Sequence, residues 1–183
     1  MSEEWPKITS RKIIKISQWM DVMAREVEFS KGDAPQTYYA VSQLDYLAIL
    51  AVTPDGRFPI VHQYRPAVEA FTWELPAGLL EKGEDAAQGA SRELLEETGY
   101  PAKNVRFLGS ASACTGRLNN QVHTLFMETG EQVADFKPEP GLTVALKTPA
   151  ELVAMIRAGE FVQQLHLGAI MLAELKGVLA LPR

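Results

Sequence analysis

The chain has 183 residues, enough for one domain or for a domain with a small appendage. A hydrophobic share of 46% and a charged share of 22% exclude disorder, collagen-like structure and low-complexity structure. The formal net charge of −5 makes the chain a poor candidate for wrapping nucleic acid or coating an anionic membrane, so any phosphate it binds is met locally or through a metal. Its one cysteine, Cys114, allows no intrachain disulfide and fits a reducing compartment. Residues 1–6 are acidic and polar and do not resemble a signal peptide. The longest apolar run, residues 46–52, is far too short to cross a bilayer, and the expectation is a soluble, cytoplasmic protein.

Residues 11–18 read as a short strand, and residues 20–29 continue with apolar positions spaced roughly by two before the turn at Lys31-Gly32-Asp33. Residues 36–43 supply a return strand. The segment 1–44 is therefore expected to be a polar, two-sided antiparallel sheet with little core of its own, leaning on another subunit. Residues 45–53 read as a buried strand, Pro54-Asp55-Gly56 as a turn, and residues 58–64 as the next strand, the two strands forming a hairpin. Trp73-Glu74-Leu75 is a short strand stopped by Pro76, and a glycine-containing loop runs over residues 78–83. Residues 84–98 read as a helix closed by Gly99. Strands follow at 104–112, 121–128 and 142–147, with a proline-containing loop at 136–141 and helices at 149–158 and 162–178. Mixed strands with helices in three places predict an α/β or α+β fold, helices sandwiching a mixed sheet, over residues 45–183.

Glu93, Glu96 and Glu97 fall within an arc of about 100° on the 84–98 helix, beside the face carrying Ala87, Ala90, Leu94 and Leu95. Like charges at these spacings each cost about 0.2–0.5 kcal/mol. They also sit in the last helical turns, where the macrodipole disfavours anions. A divalent cation is the simplest compensation, since carboxylates suit hard ions and Mg²⁺ takes one or two of them together with substrate phosphate. A solvated acidic face with Arg92 as local partner is the plain alternative.

The run Gly78, five residues, Glu84, seven residues, then Arg92-Glu93-Leu94-Leu95-Glu96-Glu97-Thr98-Gly99-Tyr100 resembles the Nudix box of the Nudix hydrolase superfamily. Tyr100 stands where that pattern more often has an aliphatic residue. Gln63-Tyr64-Arg65-Pro66 followed by Trp73-Glu74-Leu75-Pro76-Ala77-Gly78 is similar to the branch that hydrolyses ADP-ribose and related nucleoside diphosphate sugars. The resemblance implies a Nudix α/β/α sandwich, a small-molecule nucleoside diphosphate sugar as substrate, and Mg²⁺, or else Mn²⁺, as cofactor. It also implies a homodimer whose N-terminal strands are exchanged or closely packed, which fits a sheet over residues 1–44 that lacks a core.

By the same resemblance, Glu93 and Glu97 are the catalytic metal ligands, Glu96 shares the site and the carbonyl of Ala77 completes it, Arg92 orients these carboxylates, and Glu84 has a structural or secondary metal role. Gly78 answers a backbone need, either close approach or unusual torsions. Arg65 matches the arginine that contacts the substrate diphosphate, the alternative being an ion pair with Glu69 or Glu74, and Glu74 binds either substrate or a neighbouring strand. Trp19 stands near the tryptophan that stacks on adenine, with Tyr39 or Tyr38 as a second clamp face and sheet packing as the alternative.

Two departures bear on substrate and base. Cys114-Thr115-Gly116-Arg117 keeps the glycine of the family's Pro-Gly pair but has Thr115 for the proline, which leaves the sugar open; Arg117 is a further phosphate or sugar contact. In the acidic loop expected to supply the water-activating glutamate, Glu139 is the only one, so it is the expected general base, with a box glutamate as the alternative. The expected reaction converts ADP-ribose to AMP and ribose 5-phosphate. GDP-mannose, a dinucleoside polyphosphate or a nucleoside triphosphate are alternative substrates, and a non-catalytic nucleotide-sugar sensor is the alternative class. His62, His123 and His166 each read as structural.

Overall fold

The computed structural model describes residues 5–182, which divide into two compact units. One unit comprises residues 5–44 with 112–121. Its strands β1 (Lys7–Lys15), β2 (Asp21–Glu28) and β3 (Gln36–Ser42) form an antiparallel sheet in that order. Arg11 pairs with Arg25, and Arg25 with Tyr38, while the β1–β2 register shifts between Ile8 and Ser10. None of residues 5–44 is buried, so the sheet has no core of its own, as expected. Residues 112–121 belong with it, which local patterning does not disclose: the Val41 N–H donates to Arg117 O at 2.8 Å, and Asn119 Nδ2 donates to Ser42 Oγ at 3.0 Å.

The second unit, residues 45–111 with 122–182, carries two sheets and three helices. One sheet orders β10 (Leu142–Lys147), β5 (Phe58–Arg65) and β6 (Ala70–Glu74), all antiparallel. The other orders β7 (Ala77–Leu79), β4 (Tyr46–Val52), β9 (Gln121–Thr129) and β8 (Ala102–Ser112), with β4 antiparallel to β7 and parallel to β9. The expected hairpin of residues 45–53 with 58–64 does not form. A tight turn is present, its Thr53 N–H donating to Arg57 O at 2.9 Å, but β4 enters one sheet and β5 the other. The apolar run of β4, buried from Leu47 to Ala51, is a central strand whose two edges are already taken by β7 and β9.

Alternation along β4 gives the two faces of that sheet different helices. Leu47, Ile49 and Ala51, with Leu125 and Met127 of β9, meet Ala90 and Leu94 of α1 (Ala86–Thr98) in the core. Tyr46 points the other way and meets His166 of α3 (Gln164–Leu175), the rings 6.0 Å apart. The third helix, α2 (Pro149–Ala158), starts at a capping box in which Thr148 and Glu151 bond each other's backbone N–H. These layers make the α/β sandwich that the sequence predicts.

Candidate active site

Helix α1 begins where Asp85 accepts hydrogen bonds from Ala87 N and Gln88 N, at 2.8 and 3.0 Å. It ends at Gly99, whose left-handed φ of 72° requires glycine and against which the Phe136 ring lies. Leu94 is buried on the sheet, and its neighbour Glu93 is thereby aimed at the β7 backbone. The fit is close: a Cβ on Gly78 would collide with all three carboxyl atoms of Glu93. Gly78 has no left-handed torsion, so of the two backbone needs foreseen, close approach is the one observed. One turn on, Glu97 Oε2 accepts the Ala77 N–H at 3.0 Å. The Ala77 amide, not its carbonyl, makes this contact.

Arg92 ties the box together. Its Nε and Nη2 meet the two oxygens of Glu84, both at 3.1 Å, and its Nη1 donates to Glu93 Oε1 at 2.8 Å and Glu96 Oε2 at 3.2 Å. Glu84 also accepts the Glu81 N–H at 3.2 Å and lies against Gly89, where a Cβ would stand 2.8 Å from its Oε2 and 2.9 Å from Leu47 Cδ1. Gly89 is a residue the sequence reading passed over. Its signal was available, since glycine inside a helix costs roughly 1 kcal/mol and needs a packing reason.

The carboxylates differ in environment. Glu96 is exposed, its side chain 55% accessible, while that of Glu93 is 15% accessible. Burial raises the Glu93 carboxyl above its ordinary range against the opposing pull of Arg92. Burial pushes Glu97 further, to about 8, with the Ala77 N–H opposing and the nearby Glu93 charge adding to the rise. Two half-buried carboxyl groups held over the Ala77–Gly78 backbone, where burial penalises their charge, are a hard-oxygen donor set that fits a divalent cation. Among the described residues no three His, Cys, Asp or Glu side chains converge on one point, because Arg92 holds Glu96 and Glu93, and the Ala77 amide holds Glu97.

Arg65 pairs with Glu74: Nε to Oε1 at 2.8 Å and Nη2 to Oε2 at 2.6 Å, with Thr72 Oγ1 donating to Oε1 at 2.6 Å. Burial raises the Glu74 carboxyl, but these bonds outweigh it and hold the group below the usual carboxylate range. Of the two roles weighed for Arg65, the ion pair is the one present in this chain on its own. Glu139 is exposed in the loop before β10 and makes no hydrogen bond to the α1 carboxylates among the described residues. Trp19, Tyr39 and Arg117 belong to the other unit. There Trp19, 62% accessible, lines a hollow of about 330 Å³ with Lys15, Met20 and Leu44, while Tyr39 is exposed on β3 and Arg117 on the 113–120 segment.

The NUDIX domain model matches residues 44–162. An ADP-ribose pyrophosphatase of Bacillus subtilis is 34% identical over 122 residues, covering 67% of this chain and 65% of that protein, just under two thirds of its length. An ADP-ribose pyrophosphatase of Mycobacterium tuberculosis is 31% identical over 145 residues, covering 76% of this chain and 70% of that protein. Among solved structures, a crystal structure of an ADP compounds hydrolase superposes with a TM-score of 0.79 over 97% of this chain and 98% of that one, at 21% identity. The chain belongs to the Nudix hydrolase family, and the likeness in structure extends the fold across both units. The family generally uses a divalent metal.

Proposed function

We propose that this protein hydrolyses the diphosphate bond of nucleoside diphosphate sugars in the presence of Mg²⁺ or Mn²⁺, with ADP-ribose as first substrate. The observation that carries the reading is the pair Glu93 and Glu97, held half-buried over the Ala77–Gly78 backbone in a family whose relatives include two named ADP-ribose pyrophosphatases. Water attacks one phosphorus, the bridging P–O bond breaks, and ADP-ribose yields AMP and ribose 5-phosphate. Glu93 and Glu97, with Glu96 and the Ala77 carbonyl, would hold the cation, which when bound supplies charge neutralisation at the diphosphate and a more acidic water. Arg92 holds the Glu93 carboxylate in place and also reaches the exposed Glu96. Arg65 offers a guanidinium to a phosphate oxygen once that anion competes with Glu74. Glu139, on an exposed loop, takes the proton of the attacking water.

Trp19 and Tyr39 stack on the base, Arg117 contacts a phosphate or the sugar, and Glu74 serves the substrate through Arg65, which it holds. A homodimer forms through the sheet over residues 5–44, which buries none of its residues alone. The lone cysteine suits a reducing cytoplasm, and among the described residues no helix is long and apolar enough to cross a membrane. The test of the site is Glu97→Gln: turnover should be abolished with the melting curve of a folded protein retained, and undiminished turnover would refute the assignment. Light scattering that finds only monomer would refute the dimer.

A further inference from the structure

The chain passes from β6, in one sheet, to β7, in the other, through only Leu75 and Pro76. This crossing is buried, with Leu75 fully inaccessible. Pro76 has no amide hydrogen, and its carbonyl accepts the Ile49 N–H at 3.0 Å. Leu75 N–H is therefore the one donor in the crossing, and a buried amide needs a partner. The partner comes from α3, distant in sequence: His166 Nδ1 accepts the Leu75 N–H at 3.1 Å. Because Nδ1 is the acceptor, the neutral ring carries its proton on Nε2, which meets Tyr46 Oη at 3.2 Å. Tyr46 in turn stands opposite Leu79 in the β4–β7 ladder. His166 is completely inaccessible and has Phe161 against its ring. The next amide along the chain after Leu75 is that of Ala77, which donates to Glu97 Oε2 at 3.0 Å.

We propose that His166, braced by Tyr46, is a positioning residue for the cation site: by fixing the Leu75 amide it sets the Leu75–Pro76–Ala77 backbone against which Glu97 is held. The inference rests on the proposed function for its account of what Glu97 does. It concerns a residue that touches none of the box carboxylates. The residues that orient metal ligands from behind typically control affinity or activity by 10–100-fold.

The test compares His166→Leu, which removes the acceptor, with His166→Asn, whose amide oxygen can occupy the place of Nδ1. Mn²⁺ affinity of the folded protein is read by electron paramagnetic resonance, beside kcat, KM and thermal unfolding. His166→Leu should weaken Mn²⁺ binding by about 10-fold or more and lower kcat rather than raise KM, while His166→Asn stays within about 3-fold of the parent. A histidine that merely filled space would lower the melting temperature and leave Mn²⁺ affinity unchanged; that result in His166→Leu would overturn the inference. If His166→Leu does not fold, His166→Gln, whose longer side chain carries its oxygen away from the Nδ1 position, replaces it. Equal Mn²⁺ affinity in the Gln and Asn variants then overturns the inference. Failure of the unsubstituted chain to bind Mn²⁺ would overturn the metal-site reading itself, and this inference with it.

Discussion

Gly78→Ala isolates the approach of α1 to β7. The new methyl would collide with the Glu93 carboxyl, which is the far end of a flexible side chain, while the backbone at Gly78 is pinned opposite Leu47 in the β4–β7 ladder. Alanine meets no torsional strain there, so the side chain yields and the fold remains. Turning Glu93 away removes its 2.8 Å bond from Arg92 Nη1, a charge-assisted contact. Such contacts are worth about 1.5–3 kcal/mol. The Arg92 side chain is 28% and that of Glu93 15% accessible, and Arg92 keeps Glu84 as a partner, so the lower end applies, about 1 kcal/mol after screening. A change of that size lowers the melting temperature of a domain of this length by about 2–4 °C. Mn²⁺ affinity should fall much further in proportion, about 10-fold or more, because a carboxylate of the donor set has been displaced. The paired assay is thermal unfolding with Mn²⁺ titration of the same samples. Parent-like Mn²⁺ affinity in a folded Gly78→Ala protein would rule out Glu93 as a cation ligand, since it could then leave its place without consequence.

Burial drives the His166 ring down from 6.5 to about 4, with Glu74 opposing and Arg65 assisting, so the folded chain holds it neutral while the unfolded chain protonates it. The unfolded state then binds more protons between about pH 6.5 and pH 4, and stability is lost as pH falls through that window. The loss reaches about 3 kcal/mol at its lower end and about 2 kcal/mol near pH 5. Urea unfolding at pH 7 and about pH 5 should show it as an excess drop over folded His166→Asn; parallel behaviour of the two proteins would contradict the assignment. Glu74→Gln leaves Arg65 and Thr72 facing a neutral amide in place of a carboxylate. Arg65 is about one third accessible, so the loss is screened, and about 2 kcal/mol, or roughly 4–8 °C, is expected in a melt. An unchanged melting temperature would show that the pair contributes nothing.

Local signals made most of the second unit legible. The end of α1 was legible in Gly99, and the helices read over 84–98 and 149–158 match α1 and α2 to within two residues. The box spacing marked Glu93, Glu97 and Arg92, which the fold brings to one strip of backbone. What failed depended on partners far along the chain. Residues 45–53 and 58–64 satisfy every local rule for a hairpin, yet β4 is claimed by β9 from beyond residue 120. Helix geometry alone puts three carboxylates on one arc, and only tertiary packing tells that Glu96 faces solvent while Glu97 meets Ala77 N. His166 reads as one more structural histidine, because nothing in its own helix announces the Leu75 amide.

Every residue role proposed above depends on the cleavage of a diphosphate sugar. The direct measurement incubates the protein and its Glu97→Gln variant with Mg²⁺ and, separately, ADP-ribose, ADP-glucose, GDP-mannose, UDP-glucose, a diadenosine polyphosphate and a nucleoside triphosphate, with products resolved by chromatography. AMP and ribose 5-phosphate are expected from ADP-ribose with the parent protein and neither with the variant. No monophosphate from any diphosphate sugar, whether or not the triphosphate turns over, would contradict it.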